Sequence, residues 1–109
     1  MKTILPVIAE PRRNLAAPEV TEAVRAGALL ADRTRASILR MLRDGPHCVC
    51  EMAGALGERE NMVSNHLARL RRAGLVTASR HERNARLLYY ERVETAVAAA
   101  RQALDDVLR

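Results

Sequence analysis

Two amphipathic segments joined by a very short turn constrain the fold of this 109-residue chain more than any other feature. The apolar residues of the first segment, at helical offsets of 0, 3, 4 and 7, are Val49, Met52, Ala53 and Leu56. This segment begins around Cys48 and ends at Gly57, and the second runs from about Glu60 to Ala73, before Gly74. Two helices joined by so short a glycine-containing turn predict a helix-turn-helix.

Two further helices are predicted before this pair. Pro18 begins the first helix, because N–H groups in the first turn have no partner within the helix and the N–H that proline lacks is not needed there. The second starts at a capping residue, either Asp32 or Thr34, and ends at Gly45 and Pro46. The helix-turn-helix is therefore expected to be part of a larger helical domain.

The rest of the chain predicts a hairpin, a closing helix and an arm. Short β-prone runs at residues 75–79 and 86–90 flank a polar, basic segment and indicate a hairpin. Residues 92–108 predict a closing helix with an apolar stripe spaced 4, 3, 4, 3. Residues 1–17 contain two prolines and show no periodicity, which predicts a flexible arm before one domain at residues 18–109.

A domain of this size is close to the lower limit of stability, which favours dimerisation. The closing helix is rich in alanine, which permits close contact between helices. We therefore expect a homodimer that forms through the first and last helices. The expected fold is mainly α with a small β-hairpin.

The distribution of charge narrows the classes of molecule that this chain is expected to bind. The chain carries 18 Lys and Arg against 13 Asp and Glu, a net charge of +5. Residues 59–86 contain seven Arg and two Glu, so the surplus lies in the second helix of the pair and in the hairpin. A concentrated surplus indicates contact with phosphates. The only aromatic residues are two Tyr, too few for stacking single-stranded bases, so double-stranded DNA is the favoured partner.

A helical wheel of the segment from Glu60 divides it into two faces. The buried side is predicted to hold Val63, Leu67 and Leu70. The candidates for contact with base edges, near the start of the helix, are Asn61, Ser64 and Asn65, and those for phosphates or helix capping include Arg69 and Arg72. His66 lies at the edge of the buried stripe, where a packed or backbone-bonded histidine is favoured over a base reader or a ligand.

Three strings in this order and spacing resemble the ArsR/SmtB family of bacterial metal-sensing repressors: LADRTR at residues 30–35, HCVCE at 47–51 and MVSNHLARLRRAGLV at 62–76. The resemblance covers about residues 16–108. It implies a winged helix-turn-helix homodimer that covers an operator and leaves it when an inducer binds. It also implies DNA contacts at the positions that match Asn61, Ser64 and Asn65, with a wing near Arg83 that meets the DNA backbone.

Cys48 and Cys50 are the only cysteines of the chain. In a regular helix they would lie about 200° apart, with Cβ atoms roughly 7 Å apart, whereas two thiolates on one ion are only about 4 Å apart. An ion that engages both would therefore bend the segment, shift the third helix relative to the fourth and lower the affinity for DNA. The start of the helix is expected to favour the thiolate form.

The Cys-Val-Cys string followed by an acid resembles the family's thiol site for arsenite, antimonite, cadmium, lead or zinc. Some members have a third thiol where this chain has Ala53, and the family's recognition-helix thiols would match Arg69 and Ala73, so only two sulfurs remain. His47, Glu51, an arm residue or an external thiol would complete the shell, which suits soft ions with few ligands.

The sequence is also compatible with other signals. Nickel or cobalt could be sensed through His47 or His81 with carboxylates, and the two thiols could form a redox switch. A protein partner could modulate the regulator, or bind the last helix of a pure interaction module. The two cysteines could also be small helix residues without a function.

The sequence speaks against two other classes. It contains no phosphate-binding loop and no nucleophile–base motif, so we do not expect an enzyme. No apolar run approaches the roughly 20 residues of a membrane span. We therefore expect a cytoplasmic protein whose cysteines are reduced.

Overall fold

The computed structural model describes residues 15–80, 82–84 and 86–109. The helices are α1 (Pro18–Leu30), α2 (Arg33–Leu42), α3 (Val49–Leu56), α4 (Glu60–Arg72) and α5 (Glu94–Leu108), and the strands are β1 (His47–Cys48), β2 (Val76–Arg80) and β3 (Leu88–Arg92). Most of the predicted arm, as well as His81 in the hairpin, lies outside the described residues. The predicted order of helices and hairpin is confirmed, with strand ends shifted by one or two residues.

Local signals explain where the helices begin and end. Pro18 occupies the first turn of α1, and the Asp32 carboxylate caps α2 by accepting the N–H of Arg35 at 3.0 Å. Gly57 ends α3 at φ 66°, in the left-handed region where a Cβ atom causes strain. After α4, the N–H of Leu75 donates to the carbonyl of Leu70 at 3.0 Å, which turns the chain into the sheet.

Among the described residues, the sheet has three strands and not the two of the predicted hairpin. β3 lies between β1 and β2 and pairs antiparallel with both. In the register, His47 faces Tyr90 and Cys48 faces Tyr89. The sequence did not reveal β1, because a two-residue strand has no periodicity of its own and forms only where another strand offers an edge.

One apolar core joins α2, α3, α4 and the sheet. Its fully buried side chains include Ile38, Met52, Val63, Leu67 and Leu70. Met52 on α3 and the three residues of α4 were predicted to lie on the inner faces of their helices, and the burial of the latter fixes which face of α4 turns outward. α1 packs chiefly against α5, beside this core. None of the described helices is long and apolar enough to cross a bilayer.

Candidate functional site

The outer face of α4 is polar and exposed. The side chains that the sequence predicted there, all exposed to solvent, are Asn61, Ser64, Asn65, Arg69 and Arg72. Since Val63, Leu67 and Leu70 on the opposite side are inaccessible to solvent, this orientation is fixed by the core. The polar groups lie in the first two turns of α4 and the arginines in its last turn.

The hairpin adds a second basic surface. Arg83 lies in the loop between β2 and β3, and Arg80 and Arg86 lie at the ends of that loop, all three exposed. The side-chain oxygen of Asn84 accepts the N–H of Arg86 at 3.1 Å, and the backbone carbonyl of Asn84 accepts the N–H of Leu87 at 3.0 Å. Both bonds form at the residue that follows Arg83 in the loop.

The two cysteine sulfurs lie side by side, 2.6 Å apart, and both are free thiols. The expectation that they point to opposite sides of a helix is therefore wrong. Cys48 ends β1 and has an extended backbone (φ -86°, ψ 165°), and only Cys50 lies within α3. The helical angle of 100° per residue does not apply across the junction of a strand and a helix. Cys48 is buried and Cys50 is exposed.

Polar groups from the same turn surround the thiols. The Glu51 carboxylate accepts the N–H of Cys48 at 2.9 Å, and Nδ1 of His47 lies 3.6 Å from the same carboxylate oxygen. The hydrogen bond from Cys48 N–H holds the pKa of Glu51 below its ordinary value. This carboxylate therefore places a negative charge beside the thiols at neutral pH.

Burial raises the pKa of the Cys48 thiol, and its contact with Cys50 raises it further. The hydrogen bond from the N–H of Glu51 opposes this shift without reversing it. The expectation that the start of the helix favours the thiolate is thus wrong for Cys48, because the cost of burying a charge exceeds what the helix end offers. Tyr89, which faces Cys48 across the sheet, also has a raised pKa, through burial and then the charges of Glu51, Cys48 and Cys50.

The fit of a metal ion at this site is incomplete. Two thiolates about 2.3 Å from a tetrahedral ion are about 4 Å apart, so sulfurs at 2.6 Å would have to separate, not approach. In the part of the chain that the structure describes, no three His, Cys, Asp or Glu side chains are grouped to hold a metal ion. The donors that are present comprise two soft sulfurs, with His47 and Glu51 beside them.

Sequence reasoning missed a buried arginine behind α4. Arg35 is only 6% exposed, and its guanidinium lies 3.2 Å from Nδ1 of His66. His66 is thus a packed histidine, as favoured, although it contacts side chains and not the backbone. The signal was the position of Arg35, the third residue of α2, which a helical wheel assigns to the inner face beside Ile38 and Leu39.

Helices α2 to α4 followed by an antiparallel hairpin define a winged helix-turn-helix, a class of DNA-binding proteins. The family described as "Bacterial regulatory protein, arsR family" matches residues 32–78. The HTH-type transcriptional regulator NmtR of Mycobacterium tuberculosis is 36% identical over 98 residues, which cover 90% of this chain and 74% of that protein. The chain belongs to the ArsR/SmtB family of metal-sensing transcriptional regulators, and it is a DNA-binding regulator and not an enzyme.

Two further comparisons agree with this assignment. The arsenical resistance operon repressor of Escherichia coli is 43% identical over 49 residues, which cover 44% of this chain and 42% of that protein. A crystal structure of a possible transcriptional regulator for arsenical resistance superimposes with a TM-score of 0.68 at 27% identity, covering 75% of this chain and 82% of the other. The chain thus matches less than half the length of the first of these proteins and most of the second.

Proposed function

We propose that α4 reads an operator in the major groove of double-stranded DNA. Asn61, Ser64 and Asn65 would contact base edges, because they are exposed polar residues near the start of the helix. Arg69 and Arg72 would contact phosphates, as would Arg83 in the hairpin, which would act as the wing. The exposure of these side chains on one side of a buried apolar stripe supports the assignment.

The regulator would act as a homodimer through α1 and α5. Helix α5 has no buried residue in the single chain, despite its apolar stripe. The large apolar side chains that α1 and α5 leave exposed are Val24, Leu30, Val107 and Leu108. A second copy would cover this surface and bring two copies of α4 to one operator.

The signal would be a thiophilic ion that binds Cys48 and Cys50 and releases the repressor from DNA. The observation that carries this proposal is that the side chains of Cys48 and Cys50 lie next to each other at the junction between β1 and α3. Arsenite and antimonite are the favoured ions, since they are soft and need few ligands, followed by cadmium, lead and zinc. Two similar proteins named for arsenical resistance support this order.

A third donor would complete the site. His47 and Glu51 are the nearest candidates, because they flank the thiols at the start of α3. Nickel and cobalt are the second choice, because the two donors that lie closest together here are soft sulfurs and not nitrogen or oxygen atoms.

Release from DNA would pass through the sheet. Cys48 belongs to β1, which pairs with β3, and β3 forms the wing with β2. If an ion displaces Cys48, the displacement would reach β3, because Cys48 pairs with Tyr89 in the sheet. The route differs from the expected shift of α3 alone, because β1 connects the thiols directly to the proposed wing.

The test measures binding of the reduced protein to its own promoter by fluorescence anisotropy, with a panel of arsenite, antimonite, cadmium, lead, zinc, nickel and cobalt. We expect a thiophilic ion to lower the affinity at least about tenfold, which needs only ~1.4 kcal/mol of preference for the released state. Cys48→Ser and Cys50→Ser should bind DNA normally and lose the response. His47→Ala is the matched variant for the third donor.

Release of both serine variants by the same ion would refute the thiol site. Release of the wild type by nickel or cobalt alone would replace it with a nitrogen and oxygen site. If no ion acts, peroxide distinguishes a second candidate, since neighbouring thiols can form a disulfide by giving two electrons and two protons to peroxide, which becomes water.

A further inference from the structure

The guanidinium of Arg35 connects the end of α1 to α4. Its Nε atom donates to the carbonyl of Leu29 at 2.7 Å and its Nη2 atom to the carbonyl of Ala28 at 3.1 Å. Both carbonyls belong to the last turn of α1, where the helix itself provides no partner. The remaining nitrogen, Nη1, lies 3.2 Å from Nδ1 of His66 on α4.

The arginine also decides how the His66 ring is oriented. A guanidinium can only donate hydrogen bonds, so Nδ1 of His66 must accept and Nε2 carries the proton. Nε2 lies 3.8 Å from the carboxylate of Asp32, the cap of α2. The ring is therefore held between a cation on one edge and an anion on the other.

Burial makes the contact between Arg35 and His66 specific for one geometry. Arg35 is 6% exposed, and the His66 side chain is 16% exposed on the inner edge of α4. A charge-assisted hydrogen bond away from water has a fixed geometry, and an unpaired buried donor is costly. The Arg35–His66 contact thus favours one position of α4 relative to α1, whereas apolar packing at Leu67 and Leu70 tolerates small shifts.

We propose that Arg35 and His66 are positioning residues that set the recognition helix α4 relative to the end of α1, and thereby the specificity of operator binding. The proposal rests on the proposed roles of α4 in base contact and of α1 in the dimer. In a dimer the spacing between two recognition helices must match the spacing of two half-sites. A loose connection between α1 and α4 would weaken binding to that spacing, while phosphate contacts to any duplex would remain.

The test compares His66→Leu with His66→Asn. Leucine fills similar space but leaves Nη1 of Arg35 without an acceptor, whereas the side-chain oxygen of asparagine branches at the position of Nδ1 and can accept from it. We expect His66→Leu to bind its promoter about tenfold more weakly, with little change on an unrelated duplex, and His66→Asn to bind within about twofold of the wild type.

Two more measurements test the proposal without relying on DNA binding or on the folding of His66→Leu. Hydrogen exchange of the free protein should be faster in α4 and in the last turn of α1 in His66→Leu than in His66→Asn, and this readout needs no DNA. Arg35→Lys keeps the charge but offers no planar fork, so we expect the same selective loss if His66→Leu does not fold.

Equal promoter affinities of the leucine and asparagine variants, with equal hydrogen exchange, would overturn the proposal. An equal loss on promoter and unrelated DNA would also overturn it, because it would indicate a role in charge and not in position. If the wild type does not distinguish its promoter from unrelated DNA, the assignment of α4 to base contact fails instead. Hydrogen exchange then still decides whether Arg35 and His66 hold the two helices together.

Discussion

Single residues of this chain show how the surroundings decide the chemistry of a side chain. Cys48 and Cys50 are two positions apart, yet one is buried with a raised pKa and the other is exposed. Asp32 caps α2 through the N–H of Arg35, and this bond, with the positive charge of Arg35 adding to it, holds the pKa of Asp32 below the ordinary value of 3.8. Each of these properties depends on contacts that reach beyond the residue itself.

The lowered pKa of Asp32 predicts a loss of stability in acid. The ionised carboxylate stabilises the folded state fully above the ordinary pKa of 3.8, and this contribution is lost as the pH falls through the lower, folded-state pKa. Urea unfolding at a series of pH values should therefore show a steeper loss below about pH 4 in the wild type than in Asp32→Asn, which keeps a cap without the charge.

Asp44→Asn is the control for this series, because Asp44 is an exposed carboxylate whose nearest cation, Arg43, is 3.9 Å away. It should follow the wild-type pH profile. An Asp32→Asn profile that coincides with the wild type would show that the cap charge does not contribute.

Two single substitutions separate base contact from phosphate contact. Asn65→Ala should cost about 1–3 kcal/mol on the promoter and relax specificity at one base pair, because it removes a group that reaches base edges. Arg83→Ala should weaken binding to all duplexes alike and reduce the salt slope by about 1. Competition with single-base variants of the promoter at several salt concentrations distinguishes the two, and exchanged outcomes would reverse the assignments.

At the scale of elements, the junctions between helices and strands determine the geometry of the candidate site more than the helices do. The turn between α3 and α4 depends on Gly57 at φ 66°, and the junction between β1 and α3 brings the two thiols together. The two-residue strand β1 connects those thiols to β3. The proposed inducer site is therefore connected to the wing through the junction between β1 and α3 and through the pairing of β1 with β3.

Two glycines, Gly57 in the turn and Gly54 inside α3, provide substitutions with opposite expected effects on stability. Gly57→Ala should destabilise the protein by about 1–2 kcal/mol, because its backbone is in the left-handed region. Gly54→Ala, inside α3, should stabilise it by roughly 0.5–1 kcal/mol, since nothing lies within 4 Å of the added Cβ. Thermal unfolding measures both changes: unchanged stability of Gly57→Ala would contradict the assigned turn, and a loss of stability in Gly54→Ala would contradict the open space beside that glycine.

The whole molecule leaves much of its apolar surface uncovered on one side. The exposed apolar residues of α1 and α5 include Val24, 64% exposed, and Leu108, 79% exposed, while the core on the other side of the molecule excludes solvent. A chain of this size with such a surface favours association with a second copy. Both the dimer and the position of α4 would then depend on α1.

Val24→Glu tests the association. A carboxylate at an apolar interface should weaken the dimer about tenfold or more, because an unpaired buried charge costs well over ~1.4 kcal/mol. Sedimentation velocity at micromolar concentration should show a larger monomer fraction, together with weaker promoter binding. Met62→Glu is the control for assembly, because Met62 is 41% exposed on α4, and it should leave the oligomeric state unchanged. An unchanged dimer in Val24→Glu would place the interface elsewhere.

The order of the helices and the hairpin, and the two faces of α4, follow from the sequence alone. These features follow from local rules, since periodicity selects Val63, Leu67 and Leu70 for the core, and Gly57 and Gly74 end helices wherever the chain needs a positive φ. A pattern that repeats along one helix contains its own geometry, which is why the burial of these positions could be predicted.

Features that depend on contacts between distant parts of the chain follow from the three-dimensional packing and not from local patterns. Strand β1 exists because β3 lies beside it, and that pairing turns Cys48 toward Cys50 where a helical wheel separates them. Likewise, Arg35 and His66 are 31 positions apart, and nothing in the local pattern of either indicates that they meet. Local periodicity specifies which way a side chain points from its own helix, but the neighbour that it contacts depends on how all the elements pack.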